Sequence, residues 1–142
     1  MYPFLRRRRL EVPEVAMQRL RLHRSRIKRH LSDQGFSITL QMIEFGEKDT
    51  RAYVSAYNGT DNVASFYDFD AKIIQGTRQL DADTPFDYDV KEVQEDLSPG
   101  VRTDGVMVFG KADPSQPMQV HFEWSSDNYN INSHPIVFEV KP

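Results

Sequence analysis

The stretch Met118-Gln119-Val120-His121-Phe122-Glu123-Trp124 alternates apolar and polar residues without a break. A strand sends successive side chains to opposite faces, so this period puts Met118, Val120, Phe122 and Trp124 on one buried face. A helix would scatter the same four around its circumference. Gln119, His121 and Glu123 point the other way, which makes His121 a surface histidine on a sheet and not a catalytic base.

The pattern recurs along the chain. Phe36, Ile38, Leu40 and Met42 share one face, and the parity then changes at Ile43 and Phe45, which predicts a bulge or a strand end. Ala52, Val54 and Ala56 face one way and Tyr53, Ser55 and Tyr57 the other. Tyr67, Phe69, Ala71 and Ile73 predict one continuous strand, Phe86, Tyr88 and Val90 a half-buried one, and Ile136, Phe138 and Val140 a closing one. Between them lie turn signals: Gly46-Glu47-Lys48-Asp49-Thr50, Asn58-Gly59-Thr60-Asp61-Asn62 and Gln75-Gly76-Thr77-Arg78. Asn58-Gly59 favours positive φ, and although Asn58-Gly59-Thr60 fits a glycosylation sequon it reads as a turn. In 97–109, Leu97 reads as a buried plug, Pro99-Gly100 as a turn and Gly105 as a bulge or close crossing before an apolar strand. That strand and 118–124 are expected to form a hairpin at the centre of the sheet. Seven or eight short strands, with almost no helix after residue 35, argue for an all-β, two-sheet antiparallel sandwich.

Charge divides the 142 residues unevenly. Residues 1–30 hold ten basic residues (Arg6, Arg7, Arg8, Arg9, Arg19, Arg21, Arg24, Arg26, Lys28 and Arg29) against two acids, whereas the rest carries a net charge of −11. Met17, Leu20, Ile27 and Leu31 fall on a narrow apolar stripe after Pro13-Glu14, and Ser32-Asp33-Gln34-Gly35 supplies a stop, so a partly helical basic arm over 1–34 is expected before a sandwich domain over 35–142. Those ten basic residues are the candidate anion-binding set, for nucleic acid or anionic lipid. The bland alternative is a solvated helix packed on its own acidic body. The arm lacks the interleaved aromatics of single-strand binders and a second helix at helix-turn-helix spacing.

The chain has no cysteine, which removes disulfides, thiolate metal sites and thiol catalysis. No apolar run has transmembrane length, and Leu-Glu-Val-Pro-Glu-Val after Arg9 interrupts any signal-peptide core. Gly-x-Ser-x-Gly, P-loop, His-Glu-x-x-His and dinucleotide-binding glycine patterns are missing, so neither catalytic nor cofactor-binding residues are assigned and no enzyme activity is expected. Asp81, Asp83, Asp87 and Asp89 are calcium candidates, but the glycine and terminal glutamate of an EF-hand loop are not there, and a solvated acidic strand face explains them more simply.

Several spaced motifs together resemble a known family. They are the run 36–45, Arg51-Ala52-Tyr53-Val54 with Asn58 and Asp61, Ser65-Phe66-Tyr67-Asp68-Phe69-Asp70-Ala71-Lys72, Leu97-x-Pro99-Gly100, Gly105-Val106-x-Val108-Phe109, Ser126-Asp127-Asn128-Tyr129-Asn130 and Phe138-Glu139-Val140. Over residues 35–140 the chain is similar to bacterial immunoglobulin-like domains of unknown function found in exported lipoproteins and membrane-tethered proteins of Gram-positive bacteria. The resemblance implies an immunoglobulin-like sandwich outside the cytoplasm, without a catalytic set. It also implies a non-catalytic interaction or structural role in the cell envelope, with a protein or an envelope component as partner. Residues 1–34 depart from the signal sequence and low-complexity linker usual in that family.

Overall fold

A computed structural model of the chain describes residues 23–83, 88–126 and 134–142. The chain forms an immunoglobulin-like antiparallel β-sandwich, with ten strands among the described residues. The first sheet is built from β1 (His23–Asp33), β2 (Phe36–Phe45), β3 (Thr50–Asn58) and β8 (Arg102–Phe109), side by side in that order. The second holds β4 (Ala64–Phe66), β5 (Lys72–Gln75), β6 (Arg78–Asp81), β7 (Asp96–Leu97), β9 (Met118–Ser126) and β10 (His134–Val140). β9 is its central strand. Along one edge it pairs with β10, and along the other with β5 and then β4.

The expected alternation is what fills the space between the sheets. Phe36, Ile38, Leu40, Ala52, Val54 and Ala56 face inward from the first sheet, and Val120, Phe122, Trp124, Ile136 and Phe138 from the second. The parity change in β2 is a bulge, where the pairing with β3 shifts between Leu40 and Met42 and turns Ile43 and Phe45 into the core. Trp124 stacks on Phe36 with ring centroids 4.9 Å apart. Its indole Nε1 donates to Asp33 Oδ2 at 3.1 Å, and His134 Nδ1 lies 3.0 Å from the same oxygen. The tryptophan therefore has a polar anchor as well as the aromatic neighbours expected for it.

Several expectations are corrected. The expected helix is not found over 23–33: from His23 to Asp33 the chain is strand β1, paired with β2 across the boundary expected at 34/35. Ser32-Asp33-Gln34-Gly35 is not a helix stop but the approach to a two-residue hairpin turn. Gln34 and Gly35 both have positive φ, 52° and 95°, as a type I′ turn requires. The apolar spacing of Ile27 and Leu31 imitated a helix because residues four apart share a face in a strand as well as in a helix. The rest of the expected arm, residues 1–22, lies outside the described residues.

The hairpin expected between 97–109 and 118–124 is also absent from the pairing. β7 and β9 belong to the second sheet and β8 to the first, so the chain crosses between layers at 110–117. Two buried side chains pin that crossing. Thr50 Oγ1 accepts from Ala112 N at 2.8 Å, and Gln75 exchanges hydrogen bonds with Asp113 N and O at 2.8 and 2.7 Å. The strand expected through Tyr67 and Ile73 is broken by a 3₁₀ turn at Asp68–Asp70, which leaves Phe69 exposed. Asn58 does not adopt positive φ. It is wholly buried instead, with Nδ2 donating to Asn62 O and Leu97 O, both at 2.8 Å, and Oδ1 accepting from Thr60 N at 2.9 Å and Thr60 Oγ1 at 2.6 Å. A residue so enclosed cannot carry a glycan.

Leu97 is the expected plug, fully buried. Ser98-Pro99-Gly100-Val101 is a type II turn closed by Val101 N to Ser98 O at 3.0 Å, with Gly100 at φ 82°. Gly105 is a close crossing and not a bulge: a Cβ there would stand 2.6 Å from Val93 N.

Two stability effects follow. Phe109 is fully buried, so Phe109→Ala should cost about 3–5 kcal/mol in a denaturant melt; a loss under about 1 kcal/mol is the result that contradicts this packing. Asn58→Ala should cost about 2–3 kcal/mol, because it strands buried Leu97 O without its donor.

Candidate functional site

The inward alternation that builds the core leaves the opposite parity of the first sheet facing outward. Cross-strand register arranges that face in two rows. Ser32, Ser37, Tyr57 and Arg102 lie opposite one another, and so do His30, Thr39, Ser55 and Asp104. The middle positions carry small hydroxyl side chains, whereas the flanks carry an imidazole, a phenol ring and a guanidinium. The small residues therefore sink below their neighbours. Ser37 is 9% exposed and Ser55 6%, although both are on the outer face. The result is a polar depression of about 280 Å³ with Ser37, Thr39 and Ser55 as its floor, and His30, Tyr57 and Arg102 around it.

His30 is held between two hydroxyls, with Nδ1 3.0 Å from Thr39 Oγ1 and Nε2 3.3 Å from Ser32 Oγ. Ser55 Oγ accepts from Gln41 Nε2 at 3.5 Å. Ser37 Oγ makes no hydrogen bond within the described residues, although its residue is nine-tenths buried. Among the described residues, the one ion pair of Arg102 is with the carboxylate of Asp104, at 3.3 Å and in the open. Tyr57 is 45% exposed, with its ring edge against Gly59, where a Cβ would meet Tyr57 Cε2 at 3.1 Å. The site thus offers a ring face, free hydroxyl capacity and unused guanidinium donors within one depression.

The residues singled out from sequence are not gathered there. Of the basic set, Arg6, Arg7, Arg8, Arg9, Arg19 and Arg21 lie outside the described residues. Arg24, Arg26, Lys28 and Arg29 lie along β1. Arg24 pairs with Glu44 at 2.7 Å, and Arg29 Nη1 donates to Glu139 O at 2.7 Å, so two of the four already serve the sandwich. Among the calcium candidates, Asp81 accepts from Gln79 Nε2 at 2.9 Å and Asp83 from the Tyr88 hydroxyl at 2.9 Å. Asp89 is exposed, and Asp87 lies outside the described residues. Among the described residues, no three His, Asp or Glu side chains stand close enough to hold a metal.

Sequence reasoning put Ser55 and Tyr57 on one face but did not join them to Ser37, Thr39, His30 and Arg102. The available signal was the polar set Ser37, Thr39 and Gln41 interleaved with the core residues of the same strand. His121 is, as expected, on the second sheet's outer face. It is half-buried there, with Nε2 3.0 Å from Gln119 Oε1. Burial, and then Lys72 opposite it, lower its pKa below the ordinary histidine value.

A second charged feature surrounds the 3₁₀ turn. Phe69, 66% exposed, stacks on Tyr67 at 5.0 Å. Burial, and then the charges of Glu123 and Asp68, raise the pKa of Asp70; burial, and then Asp68, Asp96 and Glu92, raise that of Glu95.

No protein-family model matches the sequence, and no curated protein is similar to it. Solved structures share its fold at low identity. A candidate lipoprotein, ycdA, from Bacillus subtilis is 12% identical with a TM-score of 0.62, over 81% of this chain and 39% of that one. The chain thus corresponds to well under half of that protein. A functionally unknown protein from Listeria monocytogenes is 8% identical with a TM-score of 0.63, over 85% of this chain and 86% of its own. The yeast GGA1 GAE domain is 7% identical with a TM-score of 0.54, over 84% and 100%. These likenesses establish the sandwich and leave the ligand open. No helix among the described residues is long and apolar enough to cross a membrane.

The raised pKa of Asp70 fixes the sign of a pH effect. A carboxyl whose folded pKa lies above its unfolded one costs stability once ionised, above the folded pKa, and that cost disappears below the unfolded pKa near 4. Asp70→Asn should therefore raise the melting temperature at pH 7 and leave it unchanged at about pH 3. Equal shifts at both pH values in a thermal melt would contradict the electrostatic cause.

Proposed function

We propose that this chain is a non-catalytic binding module of the bacterial cell envelope, with the outer face of the first sheet as its recognition surface. The observation that carries the reading is the depression over Ser37, Thr39 and Ser55, where three hydroxyls gather and Ser37 Oγ, nine-tenths buried, has no partner among the described residues. The likeness in fold to a candidate bacterial lipoprotein supports the envelope as the setting. A sandwich sheet face is rigid, so groups presented on it are held in place before a partner arrives. The partner is an envelope component, and binding is the whole of the activity.

Sedimentation of the full chain with isolated Gram-positive cell walls, anionic phospholipid vesicles and duplex DNA tests this. The expected result is retention on the walls at moderate salt. Retention only on vesicles or DNA, collapsing steeply as salt rises, overturns the reading in favour of the basic arm.

A further inference from the structure

The depression on the first sheet combines three hydroxyls, an imidazole, a phenol ring and a guanidinium. Its floor is three hydroxyl residues, two of them more than nine-tenths buried. Ser37 Oγ is among them, aimed into the depression with no protein partner in the described residues. Water satisfies such a group in the free protein, and a ligand hydroxyl can replace that water at little cost. Beside the floor stands the exposed Tyr57 ring, which offers a flat apolar face with a polar tip. The volume, about 280 Å³, lies just below the range of about 300–1,000 Å³ usual for small-molecule clefts.

Charge narrows the ligand further. The chain from residue 31 onward is strongly acidic, yet this face carries Arg102, beside Asp104, on one side and His30 of the basic strand β1 on the other. Arg102 spends one contact on Asp104 at 3.3 Å, with both side chains at least half exposed, so most of its five donors stay available. A guanidinium with open donors selects carboxylate or phosphate. A ligand that suits the whole surface has hydroxyls for the floor, an aliphatic ring face for Tyr57 and an anionic substituent for Arg102.

We propose that the outer face of the first sheet binds an acidic saccharide, seated over Ser37, Thr39 and Ser55, with its ring against Tyr57 and its anionic group on Arg102. The proposal rests on the binding-module reading and names the ligand class of that same face. Carboxylated and phosphorylated sugars share the recognised chemistry.

The test is a titration of the full chain, followed by amide chemical shifts, with tetragalacturonic acid, a phosphorylated glucan oligosaccharide, maltotetraose and inorganic phosphate in parallel. One or both acidic oligosaccharides should shift the amides of Ser37, Thr39 and Ser55 at millimolar concentration, and the one that binds identifies the substituent. Tyr57→Ala should weaken that binding at least tenfold, and Tyr57→Phe, which keeps the ring, should retain it. Arg102→Gln should bring the acidic ligand down to the weak level of maltotetraose. The proposal is overturned by silence of both acidic oligosaccharides, by maltotetraose binding equally well, or by inorganic phosphate alone reproducing the shifts. Tyr57→Ala losing no affinity while folded by its thermal melt also overturns it. Wall sedimentation of the same variants separates the two levels. Equal retention of wild type and Tyr57→Ala sinks this site and leaves the module standing, whereas no retention of the wild type sinks the module itself.

Discussion

The sandwich depends on the two ends of one strand. β3 begins at Thr50 and finishes at Asn58, and both residues are polar and wholly buried. Thr50 holds the crossing at Ala112, where the chain leaves the first sheet for β9. Asn58 holds Leu97 O, at the end of the second-sheet strand that precedes the crossing into β8. Its backbone is engaged too: Asn58 N donates to Val101 O at 3.0 Å, and its carbonyl accepts from Gly100 N at 2.7 Å. Hydrophobic burial brings two sheets together without fixing their alignment, because it has no direction. Buried hydrogen bonds do fix it, since a misalignment would leave each partner unsatisfied in a dry interior. The pair at opposite ends of β3 thus sets where the crossings into and out of β8 fall.

That explains which parts of the fold were legible in the sequence. Which residues face the core follows from a two-residue period, and Phe36, Ile38 and Leu40, like Met118, Val120, Phe122 and Trp124, are buried as that period requires. The bulge after Leu40 was visible for the same reason, as a break in parity. Partnership was not visible. Periodicity says that a strand has an apolar face and leaves open which sheet it joins, so β8 and β9 read as neighbours when Thr50 and Gln75 in fact hold them in different layers. β1 was hidden by arithmetic: Ile27 and Leu31, four apart, share a face in a strand as well as in a helix. Asn58-Gly59 read as backbone punctuation because the local preference is strong, but the carboxamide makes four hydrogen bonds, three within its own loop and one across to Leu97 O, and those outweighed it.

The candidate site was less legible than the fold, for a related reason. Its parts come from four strands, and only register brings them together. Ser37 and Tyr57 are neighbours because β2 and β3 pair in one particular offset, and Arg102 joins them because β8 pairs on the far side. The basic and acidic runs stood out in the sequence because they are contiguous. In the fold they are partly consumed by ordinary service, as when Arg24 meets Glu44.

Strand β1 has a further consequence for the life of the molecule in a crowded solution. The far edge of the same sheet, along β8, is covered by returning chain, with Asp83 N and Lys91 O bonded to Val108 O and Val106 N. Among the described residues, β1 is hydrogen-bonded on one side only, to β2. An open strand edge is a template for another chain, and natural sheets blunt such edges with positive charge and irregular backbone. Both devices are present here. Lys28 sits at the bulge with φ 46°, a conformation uncommon for a residue with a side chain, and Arg24 and Arg29 flank it. A second copy approaching edge to edge meets a broken ladder and like charges. Such an edge, with its interrupted ladder and exposed Lys28, disfavours edge-to-edge pairing of two copies.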